Sequence, residues 1–142
     1  AWVKQLPKDV SFRRAPVSFR ADFEPQQRLY FVLEALNLVD TLHAKVFYAI
    51  HVERKNLTTK DAIATWIATQ GVEKAKFLET YDSFSVASKA RRASQLQDAY
   101  EVAGVPSIGV GGRFYTDGQQ AGSMERVLQT TDFLVAELRK GR

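Results

Sequence analysis

"AYEVAGVPSIGVGGRFYTDG", residues 99–118, carries the chain out of a helix and into a hairpin, with Pro106 at the corner. Val105 precedes a proline and is therefore pushed to extended backbone. Pro106 stands first in the strand that follows, where its missing N–H costs no ladder bond. "SIGV" and "RFYT" read as two short strands flanking Gly111 and Gly112. A two-residue Gly-Gly connection predicts a tight hairpin, because the favoured primed turns need positive φ. Taken locally, Pro106 is a helix-to-strand corner and trans is its default, since only about 5% of X-Pro bonds in folded proteins are cis.

Downstream, Ser123 caps a last helix in which Val127, Leu128, Thr131, Leu134, Val135 and Leu138 share a wide apolar face. Upstream, from Glu24 to Ala103, the pattern is helical throughout. Pro25 suits a first helical position, and Leu29, Val32, Leu33 and Leu36 repeat at i, i+3, i+4, i+7. Leu42, Val46, Ala49 and Ile50 define a second helix. Thr58 with Asp61 resembles a capping pair ahead of Ile63, Trp66 and Ile67, with Gly71 as the C-terminal cap. Phe77, Leu78 and Tyr81 mark a short fourth helix. A fifth runs from about Ser83 to Ala103, with Val86, Ala90, Ala93 and Tyr100 on one side and Gly104 as its stop. Before this block, Val10 to Phe19 alternates with period two and reads as a strand whose Pro16 falls near its end. "AWVKQLPK" has the look of a helix tail closed by Pro7 that lacks its own first half, so further chain is expected upstream.

With 142 residues, 45% of them hydrophobic and 25% charged, the chain is long enough for a real core. The net charge of +4 is a mild basic bias that identifies no partner. No apolar run approaches the roughly 18 residues of a spanning helix, so no membrane span is expected. Cysteine is absent, which removes disulfides, thiol nucleophiles and thiolate metal sites from these residues.

Other constellations carry little chemistry. His43 and His51 lie about 80° apart around one helix, a poor spacing for two ligands of one metal, and read as packed or surface histidines. "KARR", Lys89 to Arg92, has no aromatic platform or recognition motif beside it and reads as a solvated helix face, so no nucleic acid is expected. "GVGG" lacks the GK[ST] ending of a phosphate loop and leads into a strand. No G-x-S-x-G elbow is present. No metal or cofactor is expected.

The order of these elements resembles the thioredoxin superfamily, and most closely the DsbA family of periplasmic thiol-disulfide oxidoreductases. The resemblance rests on "VKQLPKDVSF", the all-helical insertion, "VAGVPSIGVGGRFY" and "SMERVL", and covers essentially the whole chain. It implies an α/β, thioredoxin-like fold with an inserted helical subdomain. Residues 1–22 and 104–142 would form part of the thioredoxin-like domain, and 23–103 the insertion. The family's C-x-x-C pair and the central strand before it would lie upstream of Ala1, and this chain departs from the pattern by lacking both. That strand would stand between Val10–Val17 and Ser107–Val110, and its removal would bare two strand edges.

By the same resemblance, Pro106 is expected in cis, opposite the cysteine pair, and the backbone of Val105 would pair with an extended substrate as an added strand. Arg14 aligns with a charged position beneath the active site of some relatives and would tune thiol acidity; a plain surface or salt-bridged arginine is the other reading. Tyr115, Met124 and Val127 fall where the family has an apolar groove for its membrane reoxidase, although core residues would look the same in sequence. The implied partners are unfolded or reduced exported proteins and a DsbB-like membrane reoxidase, met by a monomer in the periplasm. Two other readings stay open. Cysteine-free relatives with this insertion are glutathione-dependent transferases or isomerases, and a peptide-binding, chaperone-like module would use the Pro106 loop without chemistry.

Overall fold

The computed structural model describes residues 2–141, with the backbone alone at Asp22. The chain divides into two compact units, Ala1–Arg14 with Leu96–Arg142, and Ala15–Gln95.

The second unit is helical. It contains α1 (Glu24–Ala35), α2 (Val39–His51), α3 (Lys60–Ala68), α4 (Lys74–Tyr81) and most of α5 (Phe84–Ala99). The stripes expected from periodicity are the buried ones. Leu29, Val32 and Leu33 of α1 pack with Leu42, Val46 and Ala49 of α2, Ile63, Trp66 and Ile67 of α3, Phe77 and Tyr81 of α4, and Val86, Ala90 and Ala93 of α5 in one cluster. Each large side chain fully removed from water contributes about 1.5–3 kcal/mol, so this cluster is what holds the unit together. Pro25 sits in the first turn of α1, where a missing N–H is harmless.

Three local expectations change. The cap of α3 is Thr59, whose hydroxyl accepts from the Ala62 N–H at 3.1 Å, while Thr58 bonds Asn56 instead. The last turn of α5 ends at Ala99, short of Gly104. There Glu101 takes φ +53° and the Val102 N–H reaches back to the Gln97 carbonyl at 3.0 Å, so a non-glycine residue makes the left-handed stop. Val10 to Phe19 is not a strand, because a strand is defined by the partner it pairs with and this segment has none among the described residues. The carbonyl of Pro16 is instead taken by the Gln27 side chain, whose Nε2 donates to it at 3.0 Å and to Ser94 Oγ at 3.1 Å. These bonds satisfy a polar side chain that is otherwise buried.

The first unit opens with a 3-10 turn at Trp2–Gln5, the short helical tail expected there; Ala1 lies outside the described residues. β1 (Ser107–Val110) and β2 (Phe114–Asp117) form an antiparallel pair, followed by α6 (Gly118–Ala121) and α7 (Met124–Arg139). α7 packs against both strands. It starts as expected at Ser123, whose hydroxyl accepts from the Arg126 N–H at 3.2 Å. α6 was not foreseen; Asp117 caps it by accepting from the Gln120 N–H at 2.8 Å.

The hairpin differs by one residue from the two-residue connection expected. Val110 pairs with Phe114, so Gly111, Gly112 and Arg113 form the loop, and the Arg113 N–H closes it on the Val110 carbonyl at 3.1 Å. Gly111 and Gly112 both have positive φ, +59° and +72°, as their composition implied. In this register Ile108, Val110, Phe114 and Thr116 share one face, and Ser107, Gly109, Tyr115 and Asp117 the other. The N-terminal segment is tied to α7 by Trp2 Nε1 donating to Asp132 at 3.2 Å and by an Asp9–Arg139 ion pair.

Candidate functional site

The candidate site is the loop that leads into β1. After the stop at Glu101 the chain passes Gly104 and reaches the Val105–Pro106 peptide bond, which is cis. Val105 is 61% exposed and Pro106 is exposed beside it. A large apolar side chain in water immediately before a strand leaves its backbone open to an incoming chain.

Behind this loop lies a short polar network that the sequence reading passed over. Ser107 Oγ donates to the Gly104 carbonyl and stands 3.1 Å from the Tyr115 hydroxyl. The Tyr115 hydroxyl donates in turn to Asp117 Oδ2 at 2.5 Å. Ser107 pairs directly with Asp117 across the ladder, and Tyr115 lies two residues along on the same face, so the register brings all three together. The Tyr115 hydroxyl, and after it the Gln120 N–H, hold the Asp117 carboxyl below its ordinary value. The only signal available in advance was the alternation of polar residues at 115 and 117, and it becomes informative once the register is known.

The opposite edge of β1 has no ladder partner among the described residues. A cavity of about 330 Å³ is lined by Leu6, Val10 and Phe12 of the N-terminal segment, Ile108 and Val110 of β1, and Leu138 of α7.

The remaining candidates fall as follows. Met124 is 47% exposed at the start of α7. Val127 is buried, 1% exposed. Tyr115 is half-buried, with its hydroxyl in the network just described. Arg14 is exposed in a segment without regular structure. His43 and His51 flank the Phe47 ring, at 4.8 and 5.6 Å between centroids, within an aromatic row along α2. Among the described residues no group of three or more His, Asp or Glu side chains is placed to hold a metal ion, and no helix is long and apolar enough to cross a membrane. What the candidate site presents is therefore apolar surface at Val105 and Pro106, with no thiol among the described residues.

A family model described as the DSBA-like thioredoxin domain matches residues 4–129. A thiol:disulfide interchange protein DsbA of Bordetella parapertussis is 45% identical over 140 residues, which is 98% of this chain and 66% of that protein. The protein of the same name from Azotobacter vinelandii is 37% identical over 142 residues, again 66% of its length. The chain thus spans just under two thirds of the length of the curated relatives it matches. Among solved structures, Pseudomonas aeruginosa DsbA superposes with a TM-score of 0.91 at 36% identity, over 99% of this chain and 73% of that one. The oxidoreductase DsbA of Xylella fastidiosa gives 0.86 at 27% identity, over 98% and 74%.

Proposed function

Because the chain belongs to the DSBA-like thioredoxin domain family, we propose that the protein it represents is a periplasmic thiol:disulfide oxidoreductase that introduces disulfides into exported proteins. The observation that carries this reading is the shared name of the curated relatives, thiol:disulfide interchange protein, along nearly the whole chain. The edge of β1 that has no ladder partner among the described residues supports a further strand there, in a segment bearing the redox cysteines that these 142 residues lack.

In this reading the thioredoxin-like part comprises residues 1–22 and 104–142 and the insertion residues 23–103. A reduced substrate lies extended against the backbone of Val105, with Pro106 facing the cysteine pair. One substrate thiolate attacks a sulfur of the protein disulfide; a mixed disulfide forms as the protein S–S bond breaks, and the second protein sulfur leaves as thiolate. The other substrate thiolate then attacks the substrate sulfur of the mixed disulfide and releases the protein. Two electrons have passed from substrate to protein. A leaving thiolate at a helix N-terminus is favoured by the helix dipole and local N–H groups, which drives the exchange toward oxidation of the substrate. A DsbB-like membrane reoxidase, docking at a groove of Tyr115, Met124 and Val127, withdraws the two electrons, and Arg14 tunes the acidity of the redox thiol. The protein acts as a monomer and uses no cofactor.

Thiol titration of the complete protein, combined with oxidation of a two-cysteine peptide, tests this. Two titratable thiols after reduction and stoichiometric peptide oxidation are expected. Absence of thiols, with a serine in the upstream motif, would turn the assignment toward the glutathione-dependent transferases; thiol-free binding of the peptide without oxidation would make the protein a peptide-binding module.

A further inference from the structure

We propose that Tyr115 is a positioning residue for the Val105–Pro106 loop, held by Asp117 and acting through Ser107 on the carbonyl of Gly104. The inference rests on the proposed oxidoreductase reading and deepens it, because it names what keeps the substrate-binding backbone in place.

The argument is a count of protons. Ionised Asp117 can only accept, so the single proton of the Tyr115 hydroxyl goes to its Oδ2, 2.5 Å away. Asp117 Oδ1 is occupied by the Gln120 N–H at 2.8 Å, which fixes the carboxylate against the first turn of α6. Ser107 has one proton as well, shared between the carbonyl of Gly104, the residue immediately before Val105, and the Tyr115 oxygen. The phenolic oxygen, 3.1 Å from Ser107 Oγ, thus accepts from Ser107 while its own proton goes to Asp117, which links the carboxylate to the hydroxyl that holds Gly104. Every member thus has a defined role, and the chain of contacts ends on the backbone of an otherwise exposed loop. Val105 itself, 61% exposed, cannot provide that rigidity by packing. Lowering of the Asp117 pKa, with the Tyr115 hydroxyl as first cause, agrees with a committed proton.

A loop that presents its backbone to a substrate gains affinity from being held in the bound geometry beforehand. Loss of one such hydrogen bond costs about 1 kcal/mol, or on the order of fivefold.

The experiment uses the complete protein. Tyr115→Phe, Ser107→Ala and Ser107→Thr are compared with wild type in oxidation of a two-cysteine peptide with oxidised glutathione as the terminal electron acceptor, and amide exchange is followed at Val105 and Ser107. Expected are a KM raised on the order of fivefold at unchanged kcat and unchanged reduction potential for Tyr115→Phe and Ser107→Ala. Ser107→Thr, which keeps the hydroxyl, restores the wild-type KM. Exchange at Val105 quickens in the first two variants while that of Val110 stays the same. Wild-type KM and wild-type exchange in both deletion variants overturn the proposal, as does a defect that Ser107→Thr fails to rescue. If Tyr115→Phe does not fold, the Ser107 pair decides alone. An inactive wild type overturns the oxidoreductase reading instead, and amide exchange at Val105 then still rules for or against the positioning network.

Discussion

The ring of Tyr100 fills the space that a side chain on Gly109 would need: a Cβ built there stands 2.6 Å from Cζ and 2.9 Å from both Cε atoms. The residue after α5 therefore lies directly on the backbone of β1. Glycine at 109 is required by this close approach and not by any unusual torsion. Gly109→Ala is expected to destabilise the protein by about 1–3 kcal/mol, the usual cost of overpacking. Replacing Tyr100 by Ala in the same molecule should remove most of that penalty, so urea denaturation of the double-mutant cycle should show strong coupling. Additive effects would mean that the ring does not hold this position in solution.

Thr59, and not Thr58, caps α3. Thr59→Ala is expected to cost about 1 kcal/mol through the orphaned Ala62 N–H. Thr58→Ala, which removes a hydrogen bond to the exposed Asn56 side chain and no helix cap, should stay within about 0.5 kcal/mol. Chemical denaturation of the two single variants compares them directly.

Asp117 links the network to pH. Its folded pKa lies below the ordinary 3.8, mainly because of the Tyr115 hydroxyl and then the Gln120 N–H. A depressed carboxyl contributes stability that is complete above the unfolded value and is lost as pH falls through the folded one. Stability should therefore decline below about pH 4, and part of that decline should vanish in Asp117→Asn, which keeps an oxygen for the α6 cap but is no longer a carboxylate. Titration of the Asp117 carboxyl by NMR in wild type and Tyr115→Phe gives the second reading: removal of the hydroxyl should bring the pKa back up.

Phe77 and Phe84 stand eight residues or fewer apart and behave oppositely. Phe77 is 0% exposed in the helical core, beside Tyr81 at 5.9 Å between ring centroids. Phe77→Ala should cost about 3–5 kcal/mol, enough to unfold a marginal unit. Phe84, at the start of α5, is 82% exposed, and its truncation should be nearly silent. Thermal melts followed by circular dichroism separate the two; comparable losses would contradict the burial described here.

The helices were legible because each carries its own signal. Leu29, Val32 and Leu33 announce a buried stripe whatever lies opposite, and Pro25 and Ser123 mark helix starts by local backbone chemistry. What failed to be legible depended on partners. Val10 to Phe19 has strand composition, but no ladder partner stands beside it and Gln27 claims the Pro16 carbonyl. Glu101 makes a left-handed stop that any reader would have assigned to Gly104, because the chain must turn three residues earlier to bring Tyr100 onto Gly109. Val127 reads the same in sequence whether exposed or enclosed, and its burial comes from packing that the sequence does not print.

By itself the sequence determined the helical insertion, the positive φ of Gly111 and Gly112 and the corner at Val105–Pro106, since these rest on periodicity, backbone torsions and the proline ring. Tertiary structure decided which side chains meet behind that corner. A two-residue loop would have set Ser107 opposite Thr116 and turned Tyr115 to the other face. The three-residue loop sets Ser107 opposite Asp117, and Tyr115 then joins them. Side chains alternate along a strand, so a shift of one residue in register exchanges the two faces, and composition carries almost no information about that single step.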